Sequence, residues 1–449
     1  MQEINVFFVW ENYFAYLCKE IVERIMRILI VNTSERTGGA AVAANRLMEA
    51  LNNNGVKAKM LVRDKLTDDI TVVGLKHKLF NYWRFLWERW CLFCHLHFKR
   101  THLFEIDMAN TGTDVTRLPE FKEADVIHLS WINQGMLSLK DIRKILDSGK
   151  PVVWTMHDIW PATGICHVAL NCRRYQTSCG YCRLLPHGGS VHDLSYQVFK
   201  RKKSLLNRRT ISFVTCSKWL EKEAKKSAIL YGQPICSIPN PIDTHVFRPI
   251  DRKLARQRAR IPQDMKVILF AAQRIINENK GIFYLIEACH KMAAEHPEIV
   301  HKTFVAVLGG GKGNIGDVFD FCTGKLGYVN DTRQLVDIYN AADVFVLPSL
   351  SENLPNTIME AMACGVPSVG FNVGGIPEEI DHKKNGYVAA YRDVDDLAKG
   401  LYWVLYEADY DALSREAVHK VVTNYSQHAV AMKYIEVYNE AIALKNFHL

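Results

Sequence analysis

Short apolar runs alternate along the chain with longer segments whose apolar positions recur at helical spacing. The first run covers residues 28–31 and is followed by a small-residue segment at 40–53, after which comes Gly55. We predict a strand and then a helix there, because strands are short apolar runs and Gly commonly ends a helix. Further strands are predicted at residues 125–130, 151–156, 212–216, 267–271, 304–308, 343–347 and 368–371. This alternation predicts an α/β fold with parallel sheets covered by helices.

The size and composition of the chain are those of an ordinary globular protein. Its 449 residues suffice for two domains of roughly 200 residues each, and 48% are hydrophobic and 23% charged. No apolar run is long enough to predict a membrane span. The net charge of +8 favours a membrane surface or an anionic substrate as partner. Nucleic acid is disfavoured, because no helix-turn-helix, RNA-recognition or zinc-finger pattern accompanies the charge.

The N-terminal 25 residues have acidic residues scattered among apolar ones and no small-residue cleavage site, so they do not form a secretory signal. Met26 stands directly before the first strand. Residues 1–25 are therefore either an upstream start-site extension or a short amphipathic helix. The chain has twelve cysteines, which without a signal peptide indicate a reducing compartment. We expect a cytoplasmic location, either free or peripheral at the inner face of the cytoplasmic membrane.

The most informative segment covers residues 349–367. Glu352 lies on a loop after a predicted strand, Pro355 marks a helix start, and Glu360 lies within that helix. A helix start after a strand offers N–H groups to an anion, and a carboxylate further along can accept hydrogen bonds from a diol. Together these features suit a nucleoside diphosphate with its ribose. The alternative is a capped surface helix with incidental acidic residues.

Two cations follow the strand at 267–271. Arg274 and Lys280 are six residues apart, and two such side chains can surround a pyrophosphate, whose charge grows as it leaves. The alternative is surface charge on a loop.

Two further positions follow predicted strands of the N-terminal half. His157 and Asp158 end the strand at 151–156, where ligands bind in open α/β sheets. The alternative is a His packed beneath a loop. The Thr37-Gly38-Gly39 loop is not G-x-G-x-x-G, so a dinucleotide site is disfavoured, and a plain strand-to-helix turn remains its alternative.

An insertion at residues 162–187 contains four thiols with five, six and two residues between them: Cys166, Cys172, Cys179 and Cys182. The last two have the half-site spacing of tetrahedral zinc, although the first pair is spaced more widely than usual. We predict a structural zinc that braces the loop. Free thiols or a disulfide are the alternatives.

Residues 77–104 are unusually aromatic and basic, with three Trp, five Phe and a Tyr among Lys and Arg. Such a stretch can lie in a membrane interface. The alternative is an ordinary helix whose aromatic residues are buried in the N-terminal domain.

The context of these residues resembles a known family. The Pro-Ser before Glu352, the Asn-Leu-Pro after it and the Glu-Ala-Met-Ala-Cys-Gly-Val-Pro around Glu360 are similar to the nucleotide-sugar site of retaining glycosyltransferases of family 4. The Thr-Met-His-Asp at 155–158, the Ile-Pro-Asn-Pro at 238–241 and the Arg274 to Gly281 segment resemble further motifs of that family. The likeness covers residues 26–443. Two positions depart from it: Pro241 and Gln273 stand where Gly is common.

The resemblance implies the GT-B fold, in which two Rossmann-like domains with parallel sheets face each other across a cleft. Residues 26–245 would form the acceptor domain with its Cys-rich insertion, and residues 246–424 the nucleotide-sugar domain. Residues 425–449 would form a helix that crosses back to the first domain.

The resemblance also implies roles. Four residues would be catalytic: Glu352 and His157 at the donor sugar, and Arg274 and Lys280 at the diphosphate. Glu360 would bind the ribose. The remaining implied substrate-binding residues are Gly38, Gly39, Asp158, Asn240, Tyr328, Val329, Asn353, Leu354, Pro355 and Asn356.

The implied activity is that of a retaining glycosyltransferase of the hexosyltransferase type. It would use a nucleoside-diphosphate sugar as donor and a saccharide or lipid-linked acceptor, in bacterial surface polysaccharide biosynthesis. No cofactor is expected for catalysis. The alternatives are a catalytically silent GT-B scaffold or another GT-B enzyme, a sugar-nucleotide epimerase or phosphorylase.

Overall fold

The computed structural model describes residues 25–311 and 318–446. The predicted N-terminal extension, except for its last residue, lies outside the described residues, as do the last three residues of the chain. Within the described part, the strands are β1 Arg27–Ser34, β2 Lys57–Asp64, β3 Val72–Gly74, β4 Val126–Leu129, β5 Val152–Met156, β6 Ser212–Thr215, β7 Ile235–Ser237, β8 Lys266–Arg274, β9 Thr303–Gly310, β10 Cys322–Gly327, β11 Val344–Leu347, β12 Ser368–Phe371 and β13 Gly386–Ala389.

These strands form two parallel sheets. Among the described residues, the first sheet has seven strands in the order β3-β2-β1-β4-β5-β6-β7, and the second has six in the order β10-β9-β8-β11-β12-β13. Central strands such as β4, β6 and β11 are buried throughout, as expected when helices cover both faces of a parallel sheet. The predicted α/β architecture with parallel sheets is thereby confirmed.

The helices connect consecutive strands and cover the sheets. They are α1 Gly39–Asn52, α2 Lys78–His95, α3 Pro119–Glu123, α4 Leu139–Asp147, α5 Leu194–Leu206, α6 Lys218–Lys225, α7 Arg252–Ala259, α8 Ile282–Glu295, α9 Thr332–Ala341, α10 Asn356–Ala363, α11 Ile376–Glu379, α12 Val394–Tyr402, α13 Tyr410–Tyr425 and α14 Gln427–Asn446. None of the described helices is long and apolar enough to cross a membrane.

Helix α1 shows how composition leads to packing. Ala41, Ala43 and Ala44 are buried, and small side chains let this helix approach the sheet closely. The helix begins one residue earlier than predicted. Strand β1 also continues to Ser34, because the backbone N–H of Thr33 donates to the carbonyl oxygen of Trp131 at 2.8 Å and so extends the sheet hydrogen bonding.

The C-terminal helix α14 packs on the first sheet. Its buried residues Val430, Tyr434 and Tyr438 share a hydrophobic cluster with Ile28 and Ile30 of β1. The polar ends of the two tyrosines are also satisfied there: the Tyr434 hydroxyl lies 2.9 Å from Thr155 Oγ1, and the Tyr438 hydroxyl 2.6 Å from His128 Nδ1. The chain therefore returns to its N-terminal domain after completing the second one.

Candidate functional site

The two domains meet through predicted site residues. Asn353 accepts from Ser217 Oγ at 2.5 Å and donates from its Nδ2 to the carbonyl oxygen of His157 at 3.1 Å. Its neighbour Asn356 accepts from Asn240 Nδ2 at 2.9 Å and donates to the carbonyl oxygen of Gly39 at 3.2 Å. The loop after β11 and the start of α10 therefore contact the ends of β5 and β6 and the start of α1.

Glu352 lies on the loop after β11. Its Oε1 is ion-paired with Lys280 Nζ and accepts from Ser349 Oγ at 3.0 Å. The cation is supplied by a short 3₁₀ turn, Glu278–Lys280, that follows β8. Lys280 and Glu352 are 72 positions apart in the sequence. The pairing of β8 with β11 brings the ends of both strands together and so places the two residues side by side.

Two glycines allow neighbouring backbone segments to pack directly against the Glu352 loop. Gly281 has φ 75°, and a Cβ there would lie 1.8 Å from the carbonyl oxygen of Pro348. Gly374 has φ 59°, and a Cβ there would lie 1.7 Å from the carbonyl oxygen of Glu352. Only a residue without a side chain fits at either position. The backbone of the Glu352 loop is therefore fixed from both sides.

Glu360 faces the other domain. Its Oε1 accepts from Arg46 Nη2 of α1 at 2.6 Å, and its Oε2 accepts from the Tyr339 hydroxyl at 2.7 Å. The Arg46 guanidinium lies over the Phe247 ring, 5.1 Å from its centroid. Burial and the neighbouring Glu360 raise the pKa of Tyr339 well above its usual value, so this hydroxyl keeps its proton and remains a donor.

His157 is half-buried at the end of β5. Its Nε2 lies 2.9 Å from Ser130 Oγ, and its Nδ1 lies 3.3 Å from Cys216 Sγ. Desolvation lowers the pKa of His157 to about 4, although the nearby Asp158 opposes the shift. The imidazole is therefore neutral at neutral pH and can act as a hydrogen-bond partner, not as a cation.

Asp158 is fully engaged within its own domain. Its Oδ2 accepts from Trp131 Nε1 at 2.9 Å and lies 2.8 Å from His167 Nδ1, while its Oδ1 accepts from the Trp160 N–H at 2.8 Å. Burial raises its pKa, but the electrostatic influence of the neighbouring His167 and these hydrogen bonds outweigh burial and lower the pKa overall. Through His167, Asp158 attaches the Cys-rich insertion to the end of β5.

The structure does not support the predicted zinc site. Among the described residues, no three His, Cys, Asp or Glu side chains are grouped so that they could hold a metal ion. Cys166, Cys172, Cys179 and Cys182 are free cysteines, and burial raises the pKa of Cys166 to about 11 and that of Cys179 to about 12.

Other contacts brace the insertion. Lys202 of α5 donates to the carbonyl oxygens of Trp160 and Thr163 at 2.6 and 3.0 Å. Asp193 accepts from the N–H of Cys182 at 2.9 Å. These hydrogen bonds to the backbone hold the insertion against the end of β5 and the start of α5.

Two cavities open between the domains. One, of about 650 Å³, is lined by Glu352, Asn353 and Gly374 on one side and by His157 and the insertion on the other. The second, of about 1100 Å³, is lined by Glu360, Tyr328 and Val329, with Arg46 and Thr37 opposite. The contacts of Asn353 and Asn356 cross between the domains, and the two predicted carboxylates line different cavities.

Some of the predicted site residues do not line either cavity. Arg274 is exposed at the end of β8, and neither it nor Lys280 is among the described residues that line the two cavities. Leu354 is buried in the core of the second domain, and Pro355 occupies the N-cap position of α10.

Comparisons with known proteins agree with this architecture. Residues 265–407 match the family described as glycosyl transferases group 1. The D-inositol 3-phosphate glycosyltransferase of Thermobispora bispora is 30% identical over 239 residues, which are 49% of this chain and 54% of that protein. The chain thus spans about half the length of this curated relative.

Solved structures extend the likeness to both domains. Sucrose-phosphate synthase from Thermosynechococcus elongatus superposes with a TM-score of 0.62 at 18% identity, over 93% of this chain and all of that one. The Anabaena protein HepE, solved in complex with UDP and glucose, superposes with a TM-score of 0.59 at 16% identity, over 92% of this chain and 100% of that one.

This chain has the GT-B fold, and its residues 265–407 match the group 1 glycosyltransferase family. The matched segment contains Arg274, Lys280, Glu352 and Glu360. The site residues of the first domain, such as His157 and Gly39, lie outside it. Membership of family 4 remains a prediction.

Sequence reasoning missed several residues of the GT-B cleft. Arg46 and Tyr339 lie within helices at positions that have no motif, and Ser217 gives no signal beyond that of a helix cap. His167 lies in the insertion without a motif of its own. Their roles arise from contacts between distant segments, so spacing along the chain could not have revealed them.

Proposed function

We propose that this protein transfers a sugar from a nucleoside-diphosphate sugar to a saccharide or lipid-linked acceptor, with retention at the anomeric carbon. The observation that carries the proposal is the Glu352–Lys280 ion pair beside a cavity that also contains His157, with Glu360 on the same segment in the adjoining cavity. These groups suit the sugar, the diphosphate and the ribose of one donor that extends from one cavity to the other.

The nucleotide half of the donor would occupy the larger cavity. Its ribose hydroxyls would donate to Glu360 in place of Arg46, and its base would lie against Tyr328 and Val329. The N-terminus of α10, where Pro355 occupies the N-cap position without a capping hydrogen bond, would favour the negative diphosphate. Because Asn356 contacts Gly39, that helix end faces the start of α1, and two backbone segments could approach the phosphates together.

Lys280 and Arg274 would balance the charge that grows on the leaving diphosphate. Lys280 now pairs with Glu352, and a bound phosphate would share this cation. A cationic hydrogen-bond donor positioned at the leaving diphosphate stabilises the transition state more than the ground state. Such a role needs no protein cofactor, in keeping with the prediction that none is used for catalysis.

The sugar would lie in the smaller cavity between Glu352 and His157. The neutral imidazole and the carboxylate could each form a hydrogen bond with a sugar hydroxyl. Because Glu352 is bound to Lys280 and Ser349, it is poorly suited to act as a free nucleophile. We therefore favour front-face attack by the acceptor, with the leaving phosphate as its base, over a double displacement.

The comparisons guide the choice of substrates to test. The Anabaena structural neighbour was solved with UDP and glucose, and the Thermobispora relative is described as acting on D-inositol 3-phosphate. UDP-sugars are accordingly the first donors we would offer to this group 1 glycosyltransferase domain. A role in bacterial surface polysaccharide biosynthesis, at the cytoplasmic face of the membrane, is the setting we propose for a lipid-linked acceptor.

The first experiment is thermal unfolding with UDP, GDP, ADP and CMP in turn. A ligand at a hundred times its dissociation constant should stabilise the protein by about 2.7 kcal/mol. The diphosphate that raises the midpoint is then offered as its sugar nucleotides, and release of the diphosphate is followed with and without candidate saccharides.

The outcomes separate the alternatives. A shift followed by sugar transfer supports the proposal, and product analysis without acceptor would reveal an epimerase. No shift with any of the four nucleotides would overturn the proposal in favour of a catalytically silent GT-B scaffold. Glu287→Gln, an exposed position on α8, is the matched control for variants of Glu352.

A further inference from the structure

Helix α2 turns polar residues towards the protein interior and large apolar residues towards the solvent. Its polar residues Asn81, Glu88 and Arg89 are buried, and Glu88 is 0% exposed. On the outer side, Leu79, Trp83, Trp87 and Trp90 are 80, 67, 58 and 53% exposed, respectively. A helix on the surface of a water-soluble domain ordinarily shows the reverse pattern. The aromatic residues of this segment are therefore not buried in the domain, which excludes that interpretation of residues 77–104.

Two residues of the polar inner face, Asn81 and Arg89, have specific partners that fix which side of the helix faces the domain. Arg89 Nη2 lies 2.9 Å from Asp107 Oδ2, and Arg89 Nη1 donates to the carbonyl oxygen of Leu103 at 2.7 Å. Asn81 Nδ2 donates to the carbonyl oxygen of Lys76 at 3.0 Å. Turning the helix over would leave these buried groups without partners, at a large free-energy cost.

The outer face is one continuous stripe. Leu79, Trp83, Trp87 and Trp90 are spaced four, four and three residues apart, which places them on the same side of a helix. Phe80 lies beside them, and beyond the end of the helix Phe98 and Phe104 are also exposed. Patches of large apolar residues at this density mark interaction surfaces.

The charges around the stripe identify the partner. The exposed charged residues from 76 to 105 comprise four cations and one acid: Lys76, Lys78, Lys99, Arg100 and Glu105. A second copy of the chain would bring these cations against each other. An anionic lipid surface would complement them, and Trp rings are favoured at the headgroup level of a bilayer.

We propose that the outer face of α2 docks on anionic phospholipid membranes. The tryptophans would insert among the headgroups, with the flanking cations near the lipid phosphates. Attachment of this kind combines apolar burial with electrostatic attraction, so both vesicle charge and salt should control it.

The opposite side of the helix connects the membrane surface to the cleft. Leu92 and Leu96 pack with Ile165 and Leu185 of the insertion, and the same insertion lines the Glu352 cavity from His167 to Arg173. A lipid-linked acceptor would thus meet the protein near the cavity proposed for sugar transfer. This link to the acceptor rests on the proposed function, whereas docking itself does not.

The test is sedimentation of the full-length chain with vesicles of phosphatidylcholine alone or mixed equally with phosphatidylglycerol. We expect binding to the anionic vesicles that weakens between about 0.1 M and about 1 M salt. Combined Trp83→Ala, Trp87→Ala and Trp90→Ala substitutions should lower the partition coefficient by about tenfold or more. Phe283→Ala, which removes an exposed aromatic residue from α8, is the matched control and should bind like the unchanged protein.

Other occupants of the face would give different results. Dimers that the triple variant dissociates, without vesicle binding by either protein, would assign the stripe to a second copy and overturn the proposal. Vesicle binding that appears only when residues 1–24 are removed would show that this segment, and not a membrane, occupies the outer face of α2 in the whole chain. Thermal stabilisation by nucleoside diphosphates, measured on the same variants, should be unchanged, so failure of docking is distinguishable from failure of the proposed transfer function.

Discussion

The two domains share one architecture but assemble their parts of the cleft differently. In the second domain, Glu352, Asn353, Asn356 and Glu360 lie within nine consecutive residues, and Lys280 is brought to them by the pairing of β8 with β11. In the first domain, the groups around His157 come from the ends of β4, β5 and β6 and from the insertion. A site on one short segment is readable as a motif, whereas a site assembled from distant segments is not.

This difference also explains where the family likeness lies. The matched residues 265–407 cover the compact site and none of the dispersed one. On the proposed function, the compact site holds the nucleotide part, which is common to many donors. On the same proposal, the dispersed site and its insertion would bind the acceptor.

The largest expected effect tests the compact site. Glu352→Gln should lower sugar transfer by about 10²–10³-fold, because a charged group positioned at the reacting sugar is lost. Lys280→Ala should have an effect of similar size. Initial rates of diphosphate release with acceptor present would measure both, beside Glu287→Gln as control. Rates within twofold of the control for both variants would contradict the assignment of this loop.

The domains should respond to pH in opposite directions. In the first, desolvation lowers the pKa of buried His128 to about 3, and its Nε2 has no hydrogen-bond partner in the described part of the chain. The unfolded chain binds this proton more readily. The contribution of neutral His128 to the free energy of unfolding is therefore fully present above about pH 6.5. It falls as the pH is lowered towards the pKa of the folded state, by up to about 1.4 kcal/mol per pH unit.

In the second domain, the fully buried Glu379 has its pKa raised well above the usual value, first by burial and then by the nearby Glu352. Its stabilising effect is present below the pKa of an unfolded Glu and is lost as the pH rises towards the folded value. Urea unfolding from pH 5 to pH 9 measures both effects. Relative to the unchanged protein, Glu379→Gln should become more stable as the pH rises towards 9. His128→Asn should become more stable relative to the unchanged protein as the pH falls towards 5. Parallel pH profiles for both variants would contradict this contrast.

A smaller effect is expected where the domains contact each other through Glu360. Arg46→Met should tighten binding of the nucleoside diphosphate by about fivefold, because the ribose no longer competes with an ion pair worth about 1 kcal/mol. Isothermal titration would measure the change, with Arg258→Met on the outside of α7 as control. Weaker binding would instead show that Arg46 itself contacts the nucleotide.

The smallest effect concerns a second contact between the domains. Glu378 accepts from the N–H groups of Lys218 and Trp219, at 2.8 and 2.7 Å, at the start of α6. Glu378→Ala should cost about 1 kcal/mol, since a charged cap is lost. Urea unfolding at neutral pH would measure it against Glu287→Ala, and equal midpoints would show that the contact contributes nothing.

The cysteine insertion illustrates why a motif can mislead. The spacing of Cys179 and Cys182 is that of a zinc half-site, but the described structure groups no three potential ligands around one point. The spacing of cysteines in the sequence constrains only residues that are close together in the chain. A metal site also needs ligands from more distant positions to converge on one point. Here Lys202 and Asp193 hold the loop instead.

By itself, the amino-acid sequence determined the alternation of strands and helices, the parallel sheets and the Glu352 to Glu360 segment, because these depend on periodicity and on residues close together in the chain. Only the tertiary structure decided that Arg46 meets Glu360, that Asp158 binds the insertion through His167, and that α2 turns its tryptophans outward. Each of these depends on where buried polar groups find partners, and such partners lie far away in the sequence.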